Sequence, residues 1–185
     1  EAALAIRASY APALYGLGLL EQQHGDAERA LELYRRASAA LPGLAAAQLN
    51  LGALLAQRGD EVAAAQAFER VLELFPEHPD AHLNLALLLL LHRQYEPAAE
   101  HLEAAVRARP DAGVLWEKLG EVREARGEHA PALAALQHAL SEPTRVNAAR
   151  LAAWILATAA EDALRDPGRA QELARRAVQS TQRRD

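Results

Sequence analysis

Apolar and small residues return along this chain at a fixed interval of 34 positions. Leu17, Leu51, Leu85 and Leu119 are each followed by a small residue, Gly18, Gly52, Ala86 and Gly120. Ala30, Ala64, Ala98 and Ala132 keep the interval. So do the bulky series Tyr34, Phe68, Leu102, Leu136 and the small series Ala37, Val71, Ala105, Ala139. Self-similarity at such a period is the signature of a repeat architecture. Each unit predicts two helices. The first carries the Leu-small pair and ends near Gly25, Gly59 or Gly127, where glycine takes the left-handed conformation that closes a helix. Asp26, Asp60 and Glu128 follow, placing an acid among the free N–H groups that open the second helix. The third unit has Arg93 and Gln94 there, so its turn is less well specified. Pro42, Pro76 and Pro110 stop the second helix, and Pro143 stands one residue early in the fourth unit.

One stretch departs from simple amphipathicity. Residues 81–95 read AHLNLALLLLLHRQY, with five leucines in a row from Leu87 to Leu91. A membrane span needs about 20 apolar residues, and the run from Leu83 to Leu91 contains Asn84 and is flanked by His82, His92 and Arg93. It fails as a span on length. Leu85 and Leu89 are the unit's own core residues and Leu88 packs between helices, which leaves Leu83, Leu87, Leu90 and Leu91 to be explained.

The pattern resembles the tetratricopeptide repeat, whose 34 residues carry Trp, Leu-Gly, Tyr, Ala, an aromatic, Ala and Pro at set places. Four units run 11–44, 45–78, 79–112 and 113–146. The fourth keeps the tryptophan as Trp116, where the others have Leu14, Gln48 and His82. Residues 1–10, through Ala3, Leu4 and Ile6, match the tail of a preceding second helix. Residues 147–185 match a fifth, irregular unit, with Ala153 as its small residue, Ala170, Ala174 and Ala177 on its second helix, and a longer loop between the two. Its Trp-x-Leu-Ala-Thr segment is similar to one in bacterial arrays of this family, and the whole reads as a piece of a longer array. The resemblance implies an all-α fold, a right-handed superhelical solenoid of antiparallel helix pairs forming a single array over 1–185.

It also implies that the first helices line a concave face. In the first unit that face holds Tyr15, Leu19, Gln22 and Gln23, and in the second Leu49, Asn50, Ala53 and Gln57. The third contributes Leu83, Asn84, Leu87, Leu90 and Leu91, and the fourth Glu117, Lys118, Glu121 and Glu124. An amide side chain offers both a donor and an acceptor to an extended peptide. Asn50 and Asn84 stand at equivalent places, similar to the asparagine ladder of O-linked N-acetylglucosamine transferases. Asparagine bonding within its own repeat is the alternative. Lys118, between Glu117 and Glu121, is a poor start for the basic clamp that holds acidic chaperone tails, so an apolar or basic partner fits better.

Composition narrows the functions. With 51% hydrophobic and 4% aromatic residues, the chain has ample core and favours helix over strand. It has no cysteine, which removes thiolate ligands and thiol nucleophiles. The net charge is −5, and no basic stripe would track a nucleic-acid backbone. The arginines from Arg165 onward read as a solvated helix face. No signal segment is visible, and the reading is compatible with a cytoplasmic protein or a soluble part of a larger bacterial one. His78 and His82 are four apart, but Pro79 between them opens a helix and no third ligand is near, so no metal is expected. The serines lie in no nucleophile motif, and no phosphate loop occurs. No cofactor is expected. The sequence therefore predicts a non-catalytic scaffold that binds an extended or helical segment of another protein. The alternatives are a regulatory or substrate-recruiting segment of a larger enzyme or membrane protein, and a self-association module.

Overall fold

The computed structural model describes residues 2–142 and 144–182, with side chains from residue 10 to 181. Pro143, expected to close the fourth unit, lies outside the described residues. Among the described residues ten α-helices follow one another: α1 (Ala2–Gln23), α2 (Ala27–Ala40), α3 (Ala45–Gln57), α4 (Glu61–Leu74), α5 (Pro79–Leu91), α6 (Tyr95–Ala108), α7 (Gly113–Ala125), α8 (His129–Ala139), α9 (Val146–Thr158) and α10 (Pro167–Gln182). They fall into two compact units, one up to Leu88 and one from Leu89.

The turns inside the repeats are built alike. Gly25, Gly59 and Gly127 have φ of +85°, +80° and +76°. The next amide reaches back across each turn: Asp26 N to Glu21 O at 2.9 Å, Asp60 N to Leu55 O at 3.0 Å, and Glu128 N to Arg123 O at 2.9 Å. Asp26 and Asp60 then cap α2 and α4, accepting from the amides of Arg29 and Ala63. The third turn has the same geometry without the glycine. Arg93 takes φ of +56°, and Gln94 N meets Leu89 O at 3.0 Å. A left-handed residue with a Cβ costs about 1–2 kcal/mol, partly offset by the entropy that glycine loses on folding. Arg93→Gly is therefore expected to stabilise the protein by about 0.5–1 kcal/mol, read as a thermal midpoint higher by about 2 °C.

Residues 2–10, expected as the tail of a preceding second helix, continue α1 without a turn, and Pro12 lies inside the helix. Ala8 stands where Pro42, Pro76 and Pro110 stop the other second helices, so no proline interrupts the run. At the other end, residues 159–166 separate α9 from α10, where residues 24–26 suffice between α1 and α2. A 3-10 turn, Asp162–Leu164, fills part of this longer loop, and the Asp166 side chain accepts from Arg169 N at 2.9 Å to open α10.

Small residues let the helices of a pair approach closely. A Cβ added at Gly18 would lie 2.6 Å from Tyr34 Cε1, and one at Gly52 would lie 2.5 Å from Phe68 Cε1. The first unit's core then joins Ala30, Leu31 and Tyr34 of α2 to Leu51 and Leu54 of α3, with Phe68, Leu85 and Leu88. The second unit's core joins Ala132, Leu133 and Leu136 of α8 to Ala148, Ala152 and Ile155 of α9, and to Ala170 and Leu173 of α10.

Candidate ligand-binding faces

In the first unit the face is built on aromatic and amide groups. Tyr34 is fully buried, and its hydroxyl donates to Gln22 Oε1 at 2.7 Å. Tyr15 tilts against it, with ring centroids 5.8 Å apart. Asn50 Nδ2 donates to both hydroxyls, each at 3.4 Å. Burial pushes the Tyr34 hydroxyl above its ordinary pKa, and the Asn50 bond partly opposes this. Leu19 and Leu49 are half-buried against the same core. Asn84 behaves differently from Asn50. Its Nδ2 donates to Asp80 O, one turn back on its own helix, at 2.8 Å. The two asparagines thus hold different bonds: Asn84 within its repeat, and Asn50 to the repeat before it.

The leucine run separates by exposure. Leu85 and Leu88 are buried and Leu89 is half-buried. Leu83 and Leu90 are half-buried, whereas Leu87 is 39% exposed and Leu91 65%. These two present apolar surface to solvent.

In the second unit, Glu117 is not part of an open face, because only 7% of it reaches solvent. Burial raises its carboxyl pKa and Glu121 adds to the shift, opposed by Arg145, Lys118 and a bond from Asn147. Arg145 belongs to the turn before α9. Glu142 there accepts from Gly113 N at 2.8 Å and from Arg145 Nε at 2.8 Å. The Arg145 bond, and then the Gly113 amide, hold the Glu142 carboxyl below its usual range. Lys118 stays half-exposed and pairs with Glu121 at 2.6 Å, so the cation and one acid largely offset each other. Beyond Glu121 lies a groove of about 980 Å³ between α9 and α10, lined by Leu151, Trp154, Ala174 and Val178 among others. Trp154, the tryptophan of the Trp-x-Leu-Ala-Thr segment, is not among the expected groove residues because the fourth unit ends one residue early and shifts the register after it. Once Ala153 is aligned with Gly120, Trp154 takes the place of Leu87 and Glu121.

His82 Nε2 lies 2.9 Å from Pro76 O. Trp116, one repeat later, makes the same contact, its Nε1 donating to Pro110 O at 2.8 Å while its ring stacks on His138 at 4.3 Å. His82 therefore does the tryptophan's work. Among the described residues no group of three His, Asp or Glu could hold a metal ion, and no helix is long and apolar enough to cross a membrane.

Sequence models of the family described as Tetratricopeptide repeat match residues 15–79 and 55–119. No curated protein matches. Solved structures do. The chain superposes on MamA (41-end) from Desulfovibrio magneticus RS-1 with a TM-score of 0.77 and 22% identity, covering 95% of this chain and 97% of that one. For Pseudomonas aeruginosa pilF the TM-score is 0.81 and the identity 21%, with 94% and 78% covered. YrrB, described as a repeat protein of this kind with an unusual peptide-binding site, gives 0.70 and 20%, with 91% and 85% covered. At such identities the likeness is one of fold. With the 34-residue period, the helix pairs and the matching sequence models, the chain belongs to the tetratricopeptide-repeat family, an all-α solenoid fold suited to protein–protein interaction.

Proposed function

We propose that this chain is a non-catalytic scaffold whose first helices bind an extended or helical segment of another protein, apolar or basic in character. The observation that carries the reading is the exposure of Leu87 and Leu91 on a helix whose other leucines are packed. Solvent-facing leucines at i and i+4 suit an apolar anchor, and covering a fully exposed leucine contributes roughly 1.5–3 kcal/mol. In the first unit Tyr15, Leu19, Leu49, Asn50, Leu83 and Asn84 form the surrounding face, where Asn50 and the Tyr15 hydroxyl offer polar contacts to a peptide backbone. In the second unit, Lys118 and Glu121 with Glu124 give a face of acidic balance that favours basic side chains. The bland role of Asn84, bonded to its own helix, makes it a weaker contact than Asn50.

The test begins with random 16-residue peptides displayed on phage and selected on the wild-type protein. Selected peptides are expected to lose at least tenfold in affinity against Leu87→Glu, a change of about 1.4 kcal/mol. They are expected to bind unchanged to Leu74→Glu, an exposed position on the second helix α4. If both variants bind like the wild type, the proposed face is wrong.

A further inference from the structure

We propose that Glu117 gates the α7 face by a proton, so that the face holds a basic segment more tightly when this carboxyl is ionised and loosens when it is protonated. The gate rests on the reading of that face given above and adds its regulation. Glu117 stands at the register of Leu49 and Leu83, where the two preceding repeats have leucine, yet only 7% of it reaches solvent. A charge in such a place must be paired or give way to the neutral form. The cations beside it are already engaged. Lys118 Nζ lies 2.6 Å from Glu121 Oε2, and Arg145 places Nε and Nη2 each 2.8 Å from Glu142 Oε2. Three carboxylates therefore share two cations, and Glu117 is left with the side-chain amide of Asn147 as its hydrogen-bond donor. On the other sides of α7, Glu96 and Glu103 of α6 pair with Arg126 and Arg123, while on α8 His138 stacks on Trp116 and His129 faces Glu161.

A proton on Glu117 removes the imbalance and leaves the two acid–base pairs. The ionised form instead puts a further negative charge beneath the face, one helical turn from Glu121. Burial first, and Glu121 next, raise the Glu117 carboxyl, so the proton is taken up above the ordinary glutamate range. Glu142 is shifted the other way, by Arg145 first and then by the Gly113 amide, and stays ionised where Glu117 titrates. By linkage, a carboxyl raised in the folded state contributes stability in its protonated form. That contribution is fully present below the ordinary glutamate value and is lost as pH rises through the raised one. The same proton that stabilises the second unit thus lowers the attraction of its face for a basic segment.

Random 16-residue peptides on phage, bound to the wild type at about pH 7.5 and eluted at about pH 5.5, supply the probes. Eluted peptides that carry arginine or lysine and no Asp, Glu or His are titrated by fluorescence anisotropy, so that only protons on the protein count. Against the wild type they are expected to lose at least about threefold in affinity between those two pH values. Against Glu117→Gln the loss is expected to vanish, with the affinity already that of the acidified wild type. Glu117→Leu, which restores the residue of the preceding repeats, is expected to behave in the same way, and far-UV circular dichroism checks the fold of both variants. Over the same pH interval the thermal midpoint of the wild type is expected to gain at least about 1 °C on that of Glu117→Gln. Midpoints that move in parallel overturn the gate, as do bound peptides that acid does not elute, or a pH dependence of affinity that the variants keep. If no peptide binds at the higher pH, the reading of the face itself fails and the gate with it, whereas the midpoints still show whether Glu117 titrates.

Discussion

Gly52→Ala is expected to lower the thermal midpoint by about 4–8 °C, the change that about 2 kcal/mol produces in a chain of this size. Two effects compete. Alanine is the better helix former by about 1 kcal/mol, which alone would stabilise α3. Against this, its methyl would lie 2.5 Å from Phe68 Cε1 and 2.9 Å from both Cδ1 and Cζ. Phe68 is 1% exposed, so its ring is held within the core. Overpacking of this kind costs about 1–3 kcal/mol, and contact with three atoms of a fixed ring puts it at the upper end. The close approach therefore outweighs the propensity. Phe68→Leu should relieve most of the added cost, so that the double variant lies within about 1 kcal/mol of Phe68→Leu alone. The third unit already carries alanine and leucine, Ala86 and Leu102, at those two places. A Gly52→Ala protein as stable as the wild type would show that the ring can yield.

Trp116→Leu is expected to cost about 2 kcal/mol and Trp116→His about half of that, measured as midpoints of urea unfolding by circular dichroism. Leucine loses both the stacking on His138 and the bond to Pro110 O. Histidine keeps a ring N–H for that carbonyl, as His82 does toward Pro76 O. Truncation of large aromatic side chains costs about 3–5 kcal/mol in full cores, but Trp116 is half-buried and Pro110 is exposed, so water can satisfy part of what is lost. If the two variants were equally destabilised, the bond would contribute nothing and the ring area everything. A Trp154→Phe background leaves Trp116 as the single indole, so its fluorescence reports the same transition.

The period of 34 made the helix pairs legible because a turn and its cap are local: Gly25, Asp26, Gly59 and Asp60 act within a few residues of themselves. The glycines that meet Tyr34 and Phe68 were legible for a related reason, since a small and a bulky residue kept the same interval. What the sequence hid depends on neighbours. Arg93 adopts the glycine's conformation because the helices on either side of it impose the turn. His82, which merely replaces the tryptophan in the sequence, shows its part only when the carbonyl of Pro76 is placed beside it. Glu117 shares its register with Leu49 and Leu83, yet it is buried with Arg145 and Asn147 acting on it from outside its repeat. Leu17 keeps the series of Leu51, Leu85 and Leu119, which are buried, yet it is 49% exposed. The groove position of Trp154 is hidden by a one-residue slip of register, since Ala153 stands where the strict period would put residue 154.

Lys118 has a further consequence for how this protein can be marked. It is the single lysine of the chain, and it stands half-exposed on the first-helix face, 2.6 Å from Glu121. Every reaction that targets a lysine amine, from acetylation to isopeptide attachment, has one side-chain address here, and taking that amine also removes the positive partner of Glu121. A single acyl group would thus label the molecule at one known atom and make its face more acidic in the same step.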